Sequence, residues 1–136
     1  MDRRVLGALL LAASVFFVQN AASSPYRSPW DWGGRDVTDL ARITVADAIP
    51  ADATVRASPS MATLLAERRD VSILRDSAVP DPAGAGRDVD VVVVDASQFP
   101  DWTAVDRQVF RQGLESLGFA RTYDQQGLEL FTRRTA

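Results

Sequence analysis

Hydrophobic and polar positions follow three different rhythms along the chain. From Val5 to Val18 the run Val-Leu-Gly-Ala-Leu-Leu-Leu-Ala-Ala-Ser-Val-Phe-Phe-Val is broken only by Gly7 and Ser14. A soluble amphipathic helix carries polar residues every three or four positions, so this run reads as an export or membrane segment. From Val37 the period becomes helical: Val37, Leu40, Ala41, Val45, Ala48 and Ile49 share a face, with Asp36 as N-cap and Pro50 as terminator. A short strand, Ala53 to Ala57, is centred on Val55. Ser58 then reads as an N-cap with Pro59 at the first helical position, opening a helix through Met61, Leu64 and Leu65 that stops near Arg69. Val71 to Leu74 reads as a strand, and Arg75 to Arg87, holding Pro80, Pro82, Gly84 and Gly86, as an exposed loop.

The strongest strand is Val89 to Asp95, with four consecutive valines from Val91 to Val94. A run apolar on both faces marks a central strand covered on both sides, as parallel strands are in α/β domains. After a loop from Ala96 to Trp102, Thr103 and Asp106 resemble a capping box with the shorter acid. Val105, Val109, Phe110, Gly113, Leu114 and Leu117 then form a helical stripe expected to be buried, ended by Gly118. Phe119 to Tyr123 and Leu128 to Thr132 read as a hairpin around Asp124-Gln125-Gln126-Gly127.

The chain thus divides into residues 1–22, an anchor or signal peptide; residues 23–35, a linker; and residues 36–136, one domain with one core. The linker holds Pro25, Pro29, Gly33 and Gly34 with Tyr26, Trp30 and Trp32. Those aromatics suit either a juxtamembrane collar or a cap on the domain's own core. The element order α-β-α-β-β-α-β-β predicts a small α/β domain with a mixed sheet, central parallel strands plus a C-terminal antiparallel hairpin, and flanking helices.

Composition narrows the chemistry. Among 136 residues there is no histidine, cysteine or lysine. Thiolate or imidazole zinc sites, Ser-His and Cys-His nucleophiles and Schiff bases are therefore excluded. No cofactor is expected. All 15 cations are arginine, scattered and outnumbered by 18 acids for a net charge of -3, so the basic patch of a nucleic-acid binder is missing.

Arg3 and Arg4 hold the N-terminus in the cytoplasm, which places everything from Ser24 onward on the outer face, with membrane lipid as a partner. Fourteen apolar residues rise about 21 Å against a hydrocarbon layer of roughly 30 Å, which favours a signal h-region unless Gln19 to Ala22 are drawn in as an anchor. The small residues Ala21 and Ser23 make only a mediocre cleavage site.

Ligands of open α/β sheets prefer the carboxyl ends of parallel strands. The candidates there are Ser58 and Ser60 after the first strand, Arg75 and Asp76 after the second, and Asp95 and Ser97 after the third. Ser58 and Ser60 at a helix N-terminus suit a phosphate or carboxylate, although the more ordinary role of Ser58 is to cap its helix. Ala57-Ser58-Pro59-Ser60 matches neither a dinucleotide-binding turn nor a P-loop. Asp95 suits a divalent cation or a sugar hydroxyl, or else merely ends its strand; no catalytic or metal-ligating set stands out. Asp90 reads as a solvent-side residue, and Arg68-Arg69 as a lipid-contacting doublet or a solvated helix end.

The run Ile49 to Ser58, the arginines between Leu65 and Val71, the Val-Asp-Val-Val-Val-Val-Asp strand and the closing Gly118-Phe119 and Gly127-Leu128-Glu129-Leu130-Phe131 hairpin together resemble a known pattern. They are similar to the C-terminal soluble segment of the domain of unknown function 2079, a family of polytopic bacterial membrane proteins akin to GT-C glycosyltransferases. The resemblance implies that Val5 to Val18 corresponds to the last membrane helix, and that the domain is an accessory of a polytopic glycosyltransferase-like protein. Family members often carry Pro-His where this chain has Thr63-Leu64, and the family's catalytic acids lie in an early loop for which this chain has no counterpart. No catalytic residue carries over.

Overall fold

The computed structural model describes residues 3–20, 35–75 and 80–134. The linker aromatics and Asp76 lie outside the described residues. The chain divides into two compact units, up to Arg35 and from Asp36 onward.

The apolar N-terminal run forms helix α1, Arg3–Asn20, whose side chains from Arg4 to Phe16 are exposed on the unit itself. Ser14 donates its hydroxyl to Leu10 O at 2.8 Å, so its one polar side chain between Val5 and Phe16 is satisfied within the helix. Among the described residues no helix is long and apolar enough to cross a membrane.

The second unit begins with α2, Val37–Ala48. Asp36 caps it, accepting from Asp39 N at 2.8 Å, and Ile49 turns extended ahead of Pro50, as the residue before a proline is forced to. There follow β1 (Val55–Ala57), α3 (Pro59–Leu64), β2 (Val71–Ile73), α4 (Pro82–Gly86), β3 (Val91–Asp95), a 3-10 turn (Ala96–Gln98), α5 (Ala104–Ser116), β4 (Phe119–Gln125) and β5 (Leu128–Arg133). The five strands form one sheet in the order β2-β1-β3-β5-β4. β2, β1 and β3 are parallel, while β5 runs antiparallel to both β3 and β4. The fold is thus α/β with a mixed sheet and flanking helices.

Alternation along the strands builds two cores. Val55, Ala57, Val91, Val93, Leu128 and Leu130 face α2 and α3, meeting Val45, Met61 and Leu65. Val92, Val94, Phe119 and Phe131 face the other way, against Phe110 and Leu114 of α5 with Phe99 and Trp102. On that second face Phe99 stacks on Trp102 at 4.5 Å, Trp102 lies 5.1 Å from Phe110, and Phe110 meets Phe131 edge-on at 6.5 Å. β3 is buried at every position, as an apolar run between two helical layers should be.

Several expectations are corrected. The segment from Arg75 to Arg87 is not all loop: Pro82 at the first helical position starts a single helical turn that packs on α5. The stripe of α5 is narrower than expected: Phe110 and Leu114, one turn apart, carry the contact, while Val105, Val109 and Leu117 are exposed. Val37, Leu40 and Leu64 are exposed too, because each short helix touches the sheet along one line. Val89 is buried but precedes its strand, and β1 is confined to Val55–Ala57. The hairpin turn is tighter, with only Gln126 and Gly127 between the strands, both at positive φ as a type I′ turn demands. The Thr103–Asp106 capping box forms as read.

Candidate ligand-binding site at the carboxyl ends of the parallel strands

After β1 the chain turns into α3 on the first face, whereas β2 leads into α4 and β3 into α5 on the second. The connections leaving β1 and β3 therefore diverge. In open α/β sheets such a divergence opens the crevice where ligands settle. Here it holds Ser58, Ser60, Asp95 and Ser97, four of the six candidates read from the sequence.

Asp95 is the hub. It is 1% exposed, and its backbone N–H donates to Ser58 Oγ at 3.1 Å. Oδ1 accepts from Ser97 N at 3.0 Å and Ser97 Oγ at 2.6 Å. Oδ2 accepts from Ser60 Oγ at 2.9 Å and from Arg42 Nε and Nη2 at 3.1 and 2.8 Å. A carboxylate offers about four lone-pair sites, and these donors fill them. Burial pushes the Asp95 pKa up, but the hydrogen bonds from Ser97, Ser60 and Arg42 outweigh it and hold the carboxyl below its usual range. Arg42 is raised in turn, chiefly by its hydrogen bond to Asp95.

This geometry revises three readings. Asp95 does cap the 3-10 turn after its strand, yet it does so buried rather than where the chain meets water. A divalent cation there would have to displace the Arg42 guanidinium, and among the described residues no three acidic, histidine or cysteine side chains gather to hold a metal. Ser58 occupies the N-cap position of α3 without a side-chain cap bond, its hydroxyl being spent on Asp95 N. α3 is only six residues long with proline in its first turn, which leaves little of the dipole and amide array that an anion would use.

Arg42 is the member that sequence reasoning missed. It stands beside the buried Ala41 on α2, and only its position three residues after Asp39, to which Nη1 donates at 3.3 Å, sets it apart locally. Nothing local shows that it reaches Asp95. Arg75 is exposed on the opposite side of the sheet, beside a separate cavity. Asp90 is exposed and accepts from Thr54 N at 3.0 Å. Arg68 spans the end of α2, donating to Ala46 O and Ile49 O at 2.8 Å, which is structural work at a helix C-terminus.

What remains open to solvent is the rim. Ser97 is exposed, Ser60 half-buried, and both hydroxyl protons point at Asp95. Their oxygens therefore present acceptor lone pairs outward, a surface suited to hydroxyl or amide donors.

Fold and site together define a small α/β domain with a polar cluster at its switch point. No family model, curated protein or solved structure matches the chain.

Proposed function

We propose that this chain is a membrane-anchored extracytoplasmic binding or assembly module that performs no chemistry of its own and works beside a polytopic GT-C glycosyltransferase-like protein. The observation that carries the reading is α1: Arg3 and Arg4 followed by a helix whose apolar side chains, Leu9, Leu10, Leu11 and Phe16 among them, face outward. Side chains of that kind leave water for lipid at about 25 cal/mol per Å² of apolar surface. The apolar run from Val5 to Val18 alone falls short of a span, so anchoring draws Gln19 to Ala22 into the apolar layer. Asp95 supports the non-catalytic part, since the carboxylate at the switch point is committed to Arg42, Ser60 and Ser97. The resemblance to the domain of unknown function 2079 supports the partner.

A second reading, an exported glycan or small-ligand binder with a cleaved signal, is favoured by the acceptor rim of Ser60 and Ser97. Fractionation with protease protection in the native cell separates the two. An anchored module gives a full-length, membrane-bound chain that external protease digests; a secreted binder gives a mature chain beginning near Ser24. Recovery of the intact chain in the cytosol overturns both.

A further inference from the structure

The second face of the sheet is not evenly covered. α5 lies over β3, β5 and β4, and beyond it, above β1 and β2, the structure leaves a cavity of about 840 Å³. That volume lies within the roughly 300–1,000 Å³ of small-molecule sites. Its polar floor is Arg56 of β1 and Ser72 of β2, with Arg75 beyond the end of β2 and Asp81 ahead of α4. Leu74, Ala85, Trp102 and Phe110 supply apolar wall.

Arg56 sits on the inner of these two strands with its guanidinium held from two sides. Nε donates to Ser72 Oγ at 3.1 Å, and Nη1 donates to Gly84 O. Ser72 is itself fixed, donating to Val55 O at 3.3 Å. Every acceptor in that arrangement is neutral. Arg42 and Arg111, by comparison, each close on a buried carboxylate, and Arg68 on the carbonyls that end α2. Among the described residues Arg56 has no ion-pair partner, and no hydrogen bond is made by Nη2. The Asp81 carboxylate lines the same cavity but forms no ion pair with Arg56, and a half-buried guanidinium hydrogen-bonded only to neutral oxygens gains when an anion pairs with it. Because its orientation is already set, little entropy is lost when one does.

We propose that this cavity binds a small organic anion, a carboxylate or a phosphate monoester with a compact apolar body, whose charged group pairs with Arg56 while Arg75 adds attraction at the mouth. The site is separate from the Asp95 cluster on the other face, and it stands or falls independently of the lipid-anchor reading.

Titration calorimetry of the full-length chain in neutral detergent at low salt, with benzoate and phenyl phosphate as probes and benzyl alcohol as the uncharged control, tests this. At least one anion binds saturably and benzyl alcohol binds at least about tenfold more weakly, the loss expected when a charge-assisted bond is removed. Which anion binds identifies the charged group. Arg56→Gln weakens binding by about tenfold or more and Arg75→Gln by about threefold, with far-UV circular dichroism unchanged. Absence of saturable binding up to on the order of 10 mM for both anions, or equal binding of benzyl alcohol, overturns the proposal. So does unchanged affinity in a folded Arg56→Gln chain. Should that variant not fold, Arg75→Gln decides, and undiminished affinity there overturns it equally.

Discussion

Arg42 places both Nε and Nη2 on a single oxygen of Asp95, at 3.1 and 2.8 Å, tying the second helix to the end of the central strand across 53 residues of chain. Ser60 on the same oxygen brings in α3. The cluster is a clasp joining three elements of the first face.

Removing half of the clasp leaves the other half buried and unpaired. Asp95→Ala is expected to lower stability by about 3 kcal/mol, the low end for a broken buried pair because Arg42 keeps some access to water. Arg42→Met is expected to cost a similar amount by stranding the carboxylate. Urea denaturation of the domain reads both, and losses under about 0.5 kcal/mol would make the clasp a surface ornament.

Acid acts on the same bond. The folded Asp95 carboxyl ionises below its ordinary range, so its contribution is complete above the unfolded value of about 3.9 and is lost as pH falls through the folded pKa. The urea midpoint of the native chain is expected to drop, as pH falls below about 4, more steeply than that of Asp95→Asn. Parallel acid limbs would show that Asp95 titrates normally.

Arg111 and Glu129 form a two-pronged pair, Nε to Oε2 and Nη2 to Oε1, both 2.7 Å, with Glu129 buried beneath α5. The hydrogen bond to Glu129 raises Arg111. Glu129→Ala alone is expected to cost about 3 kcal/mol, whereas Glu129→Leu combined with Arg111→Met is expected to fall within about 1 kcal/mol of the native chain. A double-mutant cycle checks it, and additive losses would mean that the pair is not coupled.

Gly113 lies in the middle of α5, where alanine ordinarily gains about 1 kcal/mol of helix propensity. Here an added Cβ would collide with the ring of Pro82 in α4, which cannot rotate away. Overpacking costs about 1–3 kcal/mol, so Gly113→Ala is expected to lower the melting temperature. A rise would show that α4 is free to shift.

Among the described residues, both hydrophobic cores draw their members from Ala41 onward. A chain of residues 36–136 is therefore expected to fold alone, within about 0.5 kcal/mol of the full-length domain, and to remain in the soluble fraction. Its retention on washed native membranes would assign the attachment to the domain instead of α1.

That Ser58, Ser60, Asp95 and Ser97 sit at the strand ends was legible because strand ends follow from periodicity. The caps at Asp36 and Thr103 and the stop at Pro50 were legible for a simpler reason. Each depends on residues within one turn of it, where steric and hydrogen-bonding rules act directly. Even the tightening of the hairpin to Gln126-Gly127 corrected a boundary and not an element.

Arg42 and Arg56 were not legible, and the reason is physical. Each is one arginine among 15, distinguished only by what the sheet order brings beside it: a carboxylate for Arg42, neutral oxygens for Arg56. Hydrophobic period decides whether a residue points inward but carries no record of which strand lies next to which. The chain alone thus determined its apolar N-terminal run, its elements apart from α4 and the 3-10 turn, and its α/β class. Only the order β2-β1-β3-β5-β4 decided that Arg42 meets a buried carboxylate and that Arg56 faces a cavity.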